Sequence, residues 1–209
     1  VATSADTPLR VGIIILAAGK ASRMGEGGRH KLLAEFEGVP LVRRMAERAL
    51  DAGSGPVVLV AGFRASEISA CLEGLPVDIE ENRDYASGMA SSIRTGLAAA
   101  SLQDVEGVMI LLADMPGVTR ADLEELVKAF RKSGGRSIVR AVADGKRGNP
   151  VILPRATFPA LMRLEGDIGA RHIIETSGLP IIDVEIGAAA KLDVDTPEAV
   201  MAAGGVLKG

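Results

Sequence analysis

The run Val11-Gly12-Ile13-Ile14-Ile15-Leu16-Ala17-Ala18 is apolar throughout, rich in β-branched residues, and stopped by Gly19. A strand with one face in water alternates apolar and polar residues. An unbroken apolar run predicts a strand covered on both faces, as in the middle of a parallel sheet. Two similar runs follow at residues 56–61 and 107–112. Helical spacing is read at residues 40–50, with Pro40 at a first-turn position and Gly53 as the stop, and at about 65–72, 89–100 and 120–132. A further strand is read at 77–80. Strands alternating with helices at this spacing imply right-handed crossovers and a mainly parallel sheet. Residues 137–143 and 150–153 flank Asp144-Gly145-Lys146-Arg147-Gly148-Asn149, which reads as a hairpin-type connection that would add an antiparallel strand. A helical stretch from Phe158, a strand at 180–185 and a closing helix after Thr196-Pro197 complete an α/β, three-layer, Rossmann-like pattern.

At 209 residues the chain is the length of one α/β domain. It is read as a single unit over 1–209, with polar residues 1–10 expected to form a poorly ordered N-terminal arm. There is no Trp, Tyr85 is the only Tyr, and the net charge is −3 with no basic stripe, so neither stacking platforms nor a phosphate-backbone footprint marks a nucleic-acid partner. The run at 11–18 is far shorter than a membrane span, and residues 1–10 carry no targeting pattern, so no membrane partner is expected. Cys71 is the only cysteine, which excludes an intramolecular disulfide and fits a reducing cytoplasm.

Ligands of open α/β sheets gather at the carboxyl ends of the strands, so the loop after the first strand is the first place to look. Leu16-Ala17-Ala18-Gly19-Lys20-Ala21-Ser22-Arg23-Met24-Gly25 has small residues where backbone amides can approach phosphates, with Arg23 and, further on, Lys31 as cations. It matches neither a Walker A loop nor the Gly-x-Gly-x-x-Gly dinucleotide pattern. A solvated strand-to-helix connection is an equally good reading of the loop alone. In Ala113-Asp114-Met115-Pro116 a carboxylate directly follows an apolar strand; it either holds Mg²⁺ at the same crevice or forms a turn before Pro116. In Asp193-Val194-Asp195-Thr196-Pro197 alternation puts Asp193 and Asp195 on one side, as two metal-directed carboxylates, while Asp195 or Thr196 is also an expected helix N-cap.

Taken in order, these stretches resemble the nucleotidyltransferases of molybdenum cofactor biosynthesis, especially the molybdenum cofactor cytidylyltransferase group. The resemblance extends to Lys31-Leu32-Leu33, Gly88-Met89-Ala90-Ser91-Ser92-Ile93-Arg94, Arg147-Gly148-Asn149-Pro150 and Gly166-Asp167-Ile168-Gly169-Ala170-Arg171. It implies a fold of the nucleotide-diphosphosugar transferase type and transfer of CMP from CTP to molybdopterin-bound molybdenum, with release of pyrophosphate. Asp114 would hold Mg²⁺, with Asp195 the second carboxylate and Asp193 behind it. Gly19, Arg23 and Lys31 would hold the triphosphate. Leu16, Ala17, Ala18, Gly88 and Ser92 would line the nucleotide pocket, Ser92 by hydrogen bonding to cytosine. Arg94, Asn149 and Asp167 would face the acceptor, although Arg94 also reads as a surface arginine and Asp167 as a helix cap. Related guanylyltransferases look like Leu-Ala-Gly-Gly, so Ala18 favours CTP over GTP. The chain departs from its relatives in having no Pro before Lys31, where Glu26-Gly27-Gly28-Arg29-His30 stands, and in having Asn149 where they often have His.

Such a transfer needs charge neutralisation and positioning by the metal, Arg23, Lys31 and Asp114, with no nucleophilic side chain. His30, His172 and Cys71 are therefore expected to be structural or solvent-facing. A guanylyltransferase, a transferase for another phosphorylated acceptor, and an accessory protein delivering the cofactor to a molybdenum hydroxylase remain alternatives. A nicotinamide-dependent oxidoreductase is disfavoured by the missing dinucleotide pattern.

Overall fold

The computed structural model describes residues 8–24, 30–166 and 169–207. Its elements are β1 (Val11–Ala17), β2 (Glu35–Phe36), β3 (Val39–Pro40), α1 (Leu41–Asp51), β4 (Val57–Ala61), α2 (Ala65–Ala70), β5 (Asp78–Glu81) and α3 (Met89–Leu97). They continue with β6 (Gly107–Leu112), α4 (Arg120–Lys132), β7 (Ile138–Ala143), β8 (Lys146–Pro154), α5 (Phe158–Leu161), α6 (Ala170–Thr176), β9 (Ile181–Glu185), α7 (Pro197–Ala202) and β10 (Gly205–Val206).

Seven strands form one sheet in the order β5-β4-β1-β6-β8-β7-β9. β8 runs antiparallel to both its neighbours, and the other pairings are parallel. The carboxyl ends of β1, β6 and β7 and the amino end of β8 therefore lie at one edge. The continuous apolar run is explained by two cores. Ile13, Ile15 and Ala17 pack on the side of α1 and α4, with Leu41, Met45 and Leu123, whereas Ile14 and Ala18 pack on the side of α3 and α5, with Ile93 and Leu161. The expected α/β, three-layer architecture with a mainly parallel sheet is what the chain forms.

Three local expectations are corrected. Pro40 is the residue before α1 and belongs to β3, because its backbone is extended (φ −53°, ψ 137°). The Asp144–Asn149 connection is only a two-residue turn at Asp144-Gly145, both with positive φ, and Lys146 to Asn149 already belong to β8. The stretch before α1, read as a loop, holds the β2–β3 hairpin around Glu37-Gly38 and joins β10 in a small second sheet. Within the N-terminal arm, the Leu9 carbonyl accepts from Arg131 Nε at 3.0 Å and the Arg10 amide donates to Glu106 at 2.7 Å, which ties residues 9 and 10 to the body. Residues 1–7 lie outside the described part. Among the described residues no helix is long and apolar enough to cross a membrane.

Candidate active site

The site is assembled at the carboxyl edge of β1 and β6. The β1–β6 ladder is extended by the Ala113 amide, which donates to the Leu16 carbonyl at 3.2 Å, and this carries Asp114 alongside the loop after β1. The Val194 amide donates to the Asp114 carbonyl at 3.0 Å, bringing the segment before α7 to the same place. Thr196, not Asp195, is the N-cap of α7: its hydroxyl accepts from the Ala199 amide at 3.2 Å. Asp195 is thereby left to face the site. From the other side, Arg48 donates to the carbonyls of Pro116 (2.8 Å) and Val118 (2.6 Å) and fixes the loop that follows Asp114.

Lys31 joins these parts. Its Nζ lies 2.5 Å from both Asp114 Oδ2 and Asp195 Oδ1, and Arg23 Nη1 lies 2.7 Å from Asp195 Oδ2. Burial alone would lower the Lys31 pKa, but the Asp114 and Asp195 carboxylates outweigh it and raise it above the usual lysine value. The Lys31 hydrogen bond in turn holds Asp195 below the usual carboxylate range. The other oxygen of Asp114, Oδ1, is buried and has no hydrogen-bond partner among the described residues. A buried carboxylate oxygen without a partner is costly, so this atom asks for a cation or donor beyond those the described residues supply.

A cavity of about 380 Å³ opens here, lined by every residue expected at the nucleotide and metal positions except Arg23. Leu16, Ala17, Ala18 and Gly19 form one wall, Gly88 and Ser92 a second, and Lys31, Asp114, Asp193 and Asp195 a third. A Cβ at Gly19 would meet no described atom within 4 Å, so that side of its backbone is open. Gly88 turns into α3 with φ 112° and ψ 178°, a conformation that side chains other than hydrogen disfavour. Asn82 Nδ2 donates to Ser91 Oγ at 2.8 Å and Ser92 Oγ at 3.0 Å, leaving the Ser92 proton free to point into the cavity. Asn82 and the cavity-lining Tyr85 and Met89 were given no site role in the sequence reading. The Asn82 signal was a polar residue just after a short strand, six positions before the motif containing Ser92 begins.

His30 is buried, and it is structural. Its Nδ1 accepts from the Leu32 amide at 3.4 Å, which leaves Nε2 protonated and directed at the Gly19 carbonyl, 3.3 Å away. It thus couples the glycine loop to the turn bearing Lys31. Burial lowers its pKa below 6.5. The unfolded chain then binds a proton that the native state refuses, so stability is present above pH 6.5 and falls as pH drops below it, by up to about 1.4 kcal/mol per pH unit. Urea unfolding at pH 7.5 and 5.5 should show this loss in the native protein and a shallower one in His30→Asn; equal slopes would remove the assignment.

The acceptor-side residues separate. Asn149 lines a second cavity of about 380 Å³ that shares Met89 and Leu112 with the first. Arg94 lines neither cavity, since its Nη1 donates to the Leu164 carbonyl and ties α3 to the segment after α5. Asp167, like residues 25–29 of the glycine loop, lies outside the described residues. The N-cap of α6 is Gly169, without a side-chain bond.

A family model described as a MobA-like NTP transferase domain matches residues 13–181, most of the chain. The chain belongs to this family. It is a MobA-like nucleotidyltransferase, Rossmann-like in fold. A relative from Paenarthrobacter nicotinovorans, named nicotine blue oxidoreductase, is 32% identical over 92% of this chain and 95% of its own length. A molybdenum cofactor guanylyltransferase from Pseudomonas aeruginosa strain LESB58 is 27% identical over 89% of this chain and 90% of its own. The crystal structure of Rv0371c from Mycobacterium tuberculosis superposes with a TM-score of 0.80 at 24% identity, covering 94% of this chain and 98% of that one. A manganese complex of the same protein superposes with a TM-score of 0.77 at 23% identity, covering 93% and 98%.

Proposed function

We propose that this MobA-like transferase passes CMP from CTP to a phosphate of a molybdopterin-type acceptor, with release of pyrophosphate. The observation that carries the reading is the meeting of Asp114, Asp195 and Lys31 within 2.5 Å contacts beside the Gly19 loop. Gly19 amides, Arg23 and Lys31 hold the triphosphate, while Leu16, Ala17, Ala18, Gly88 and Ser92 hold the nucleoside. Asp114 and Asp195, with Asp193 behind them, hold Mg²⁺. The oxygen-only donor set and the partnerless Asp114 Oδ1 fit a hard divalent cation. No group of three or more His, Cys, Asp or Glu among the described residues is placed to hold a metal. Ligands from a bound nucleotide would have to complete the shell of an ion held there. Such an ion neutralises charge on the phosphates. Arg23 and Lys31 complete the neutralisation, so the acceptor phosphate meets the α-phosphorus with pyrophosphate as an in-line leaving group.

CTP is favoured by Ala18, a residue of the cavity wall at the position where guanylyltransferases look like glycine. A methyl-sized difference discriminates by about 10-fold or somewhat more. Pyrophosphate release should therefore be about 10-fold faster with CTP than with GTP at equal concentration, and Ala18→Gly should narrow the ratio. Equal turnover with GTP in the native protein would move the reading to the guanylyltransferase, the activity named for the Pseudomonas relative. The second cavity, bearing Asn149, is the acceptor site on this reading, and a molybdenum hydroxylase is the recipient of its product.

A further inference from the structure

The second cavity is lined by three arginines on three elements: Arg140 on β7, Arg147 on β8 and Arg171 on α6. Sheet register explains the first. Ile110 of β6 pairs with Val151 of β8, Val151 with Arg140 of β7, and Arg140 with Asp183 of β9, so all four share one cross-strand row. Arg140 spends its charge within that row, donating through Nε and Nη2 to the two oxygens of Asp183 at 2.9 and 3.0 Å. Arg147 and Arg171 are held differently. Arg147 Nη1 at 2.8 Å and Arg171 Nε at 2.9 Å both donate to one oxygen, Oε1 of Glu175.

Two guanidinium groups converging on a single carboxylate oxygen carry one more positive charge than their partner. The pairing is also exposed, with Arg147 at 53%, Arg171 at 72% and Glu175 at 47%. Exposed ion pairs are weak, and an Arg placed four residues before a Glu is the poorer orientation for supporting a helix. The arrangement therefore contributes little to folding. Nor do these arginines border the nucleotide cavity: neither Arg147 nor Arg171 lines it, and β8, which carries Arg147, lies two strands from β1, about 10 Å along the sheet.

We infer that Arg147 and Arg171 form a subsite for a second anionic group of the acceptor, an oxyanion other than the attacking phosphate, and that Glu175 occupies this subsite until the acceptor displaces it. The inference rests on the second cavity being the acceptor site. Its apolar lining, including Ile110, Val151 and Ile174, takes the body of the acceptor, and its arginine mouth takes the charge. Lys146 and Lys191 border the adjoining shallow cavity, which shares Arg140 and Arg147, and extend the positive rim. The two arginine hydrogen bonds also hold Glu175 below the usual carboxylate range, so it stays an anion throughout the neutral range.

The probe is inorganic phosphate, titrated calorimetrically into the full chain saturated with Mg²⁺ and an α,β-methylene analogue of CTP, which fills the nucleotide cavity. Glu175→Gln should bind phosphate about 10-fold more tightly than the native protein, since charge-assisted bonds are freed for the ligand. Adding Arg147→Met and Arg171→Met to that variant should abolish the gain. All of these side chains are exposed, and unchanged thermal midpoints confirm folding. Should the triple variant fold poorly, Glu175→Gln/Arg171→Met gives the same readout. Phosphate binding that is no tighter in Glu175→Gln than in the native protein, or that survives loss of the arginines, overturns the inference. If the CTP analogue fails to bind, the nucleotide reading fails instead, and the same comparison without nucleotide still tests the subsite.

Discussion

Asp114→Asn is expected to lower pyrophosphate release by about 10³-fold while leaving the thermal midpoint close to native. The substitution keeps the shape of the side chain and the backbone carbonyl that receives the Val194 amide, so the junction of β6 with the segment before α7 survives. What disappears is the negative charge on an atom pair of which one oxygen binds Lys31 and the other, Oδ1, is buried without a partner. Folding gains nothing from that second oxygen. A catalytic metal would, and losing one carboxylate from a two-carboxylate set removes much of its hold. An accessory role in cofactor delivery predicts something different: no turnover in the native protein, and a change confined to metal affinity in the variant.

Lys31→Met should have the second largest effect, lowering turnover by about 10²-fold or more, through loss of charge on the triphosphate side of the transition state. It carries a second consequence of opposite sign. Lys31 Nζ sits on the same carboxylates, Asp114 and Asp195, that are proposed to hold the metal. On the proposed reading lysine and metal compete for them in the absence of nucleotide, and triphosphate would resolve the competition by giving the ammonium group a new anion. Mn²⁺ titration without nucleotide should therefore be tighter in Lys31→Met than in the native protein. Equal or weaker Mn²⁺ binding would mean that the carboxylates act only as lysine partners.

The central strands were legible because their burial leaves no choice of residue. β6 at Gly107–Leu112 and α4 at Arg120–Lys132 fall where the apolar run and the helical spacing put them. Asp114, Asp193 and Asp195 were legible as carboxylates at strand ends and on one side of an extended segment. The convergence on Lys31 was not, because it joins residues 83 and 164 positions apart, with the Val194–Asp114 backbone bond among the contacts that bring them together. The β2–β3 hairpin escaped because two-residue strands show no alternation, although Glu37-Gly38 is a compact turn signal. Arg94 shows the opposite limit: a helix start facing the crevice does not fix where a long side chain ends, and this one ends on the Leu164 carbonyl. The arginine mouth of the second cavity could not be read from spacing, since the antiparallel insertion of β8 between β6 and β7 is what gathers Arg140 and Arg147 there. Arg147 did lie within the stretch Arg147-Gly148-Asn149-Pro150, which was the available signal.

The central claim is that β1's glycine loop and the Asp114–Asp195 pair form one metal-dependent CTP site. Calorimetric titration of CTP into the native protein, with Mg²⁺ and then with EDTA, and into Asp114→Asn with Mg²⁺, tests it most directly. The account predicts binding to the native protein with Mg²⁺ that weakens at least about 10-fold on chelation and to a similar extent in the variant. CTP binding of equal strength in all three titrations would contradict it.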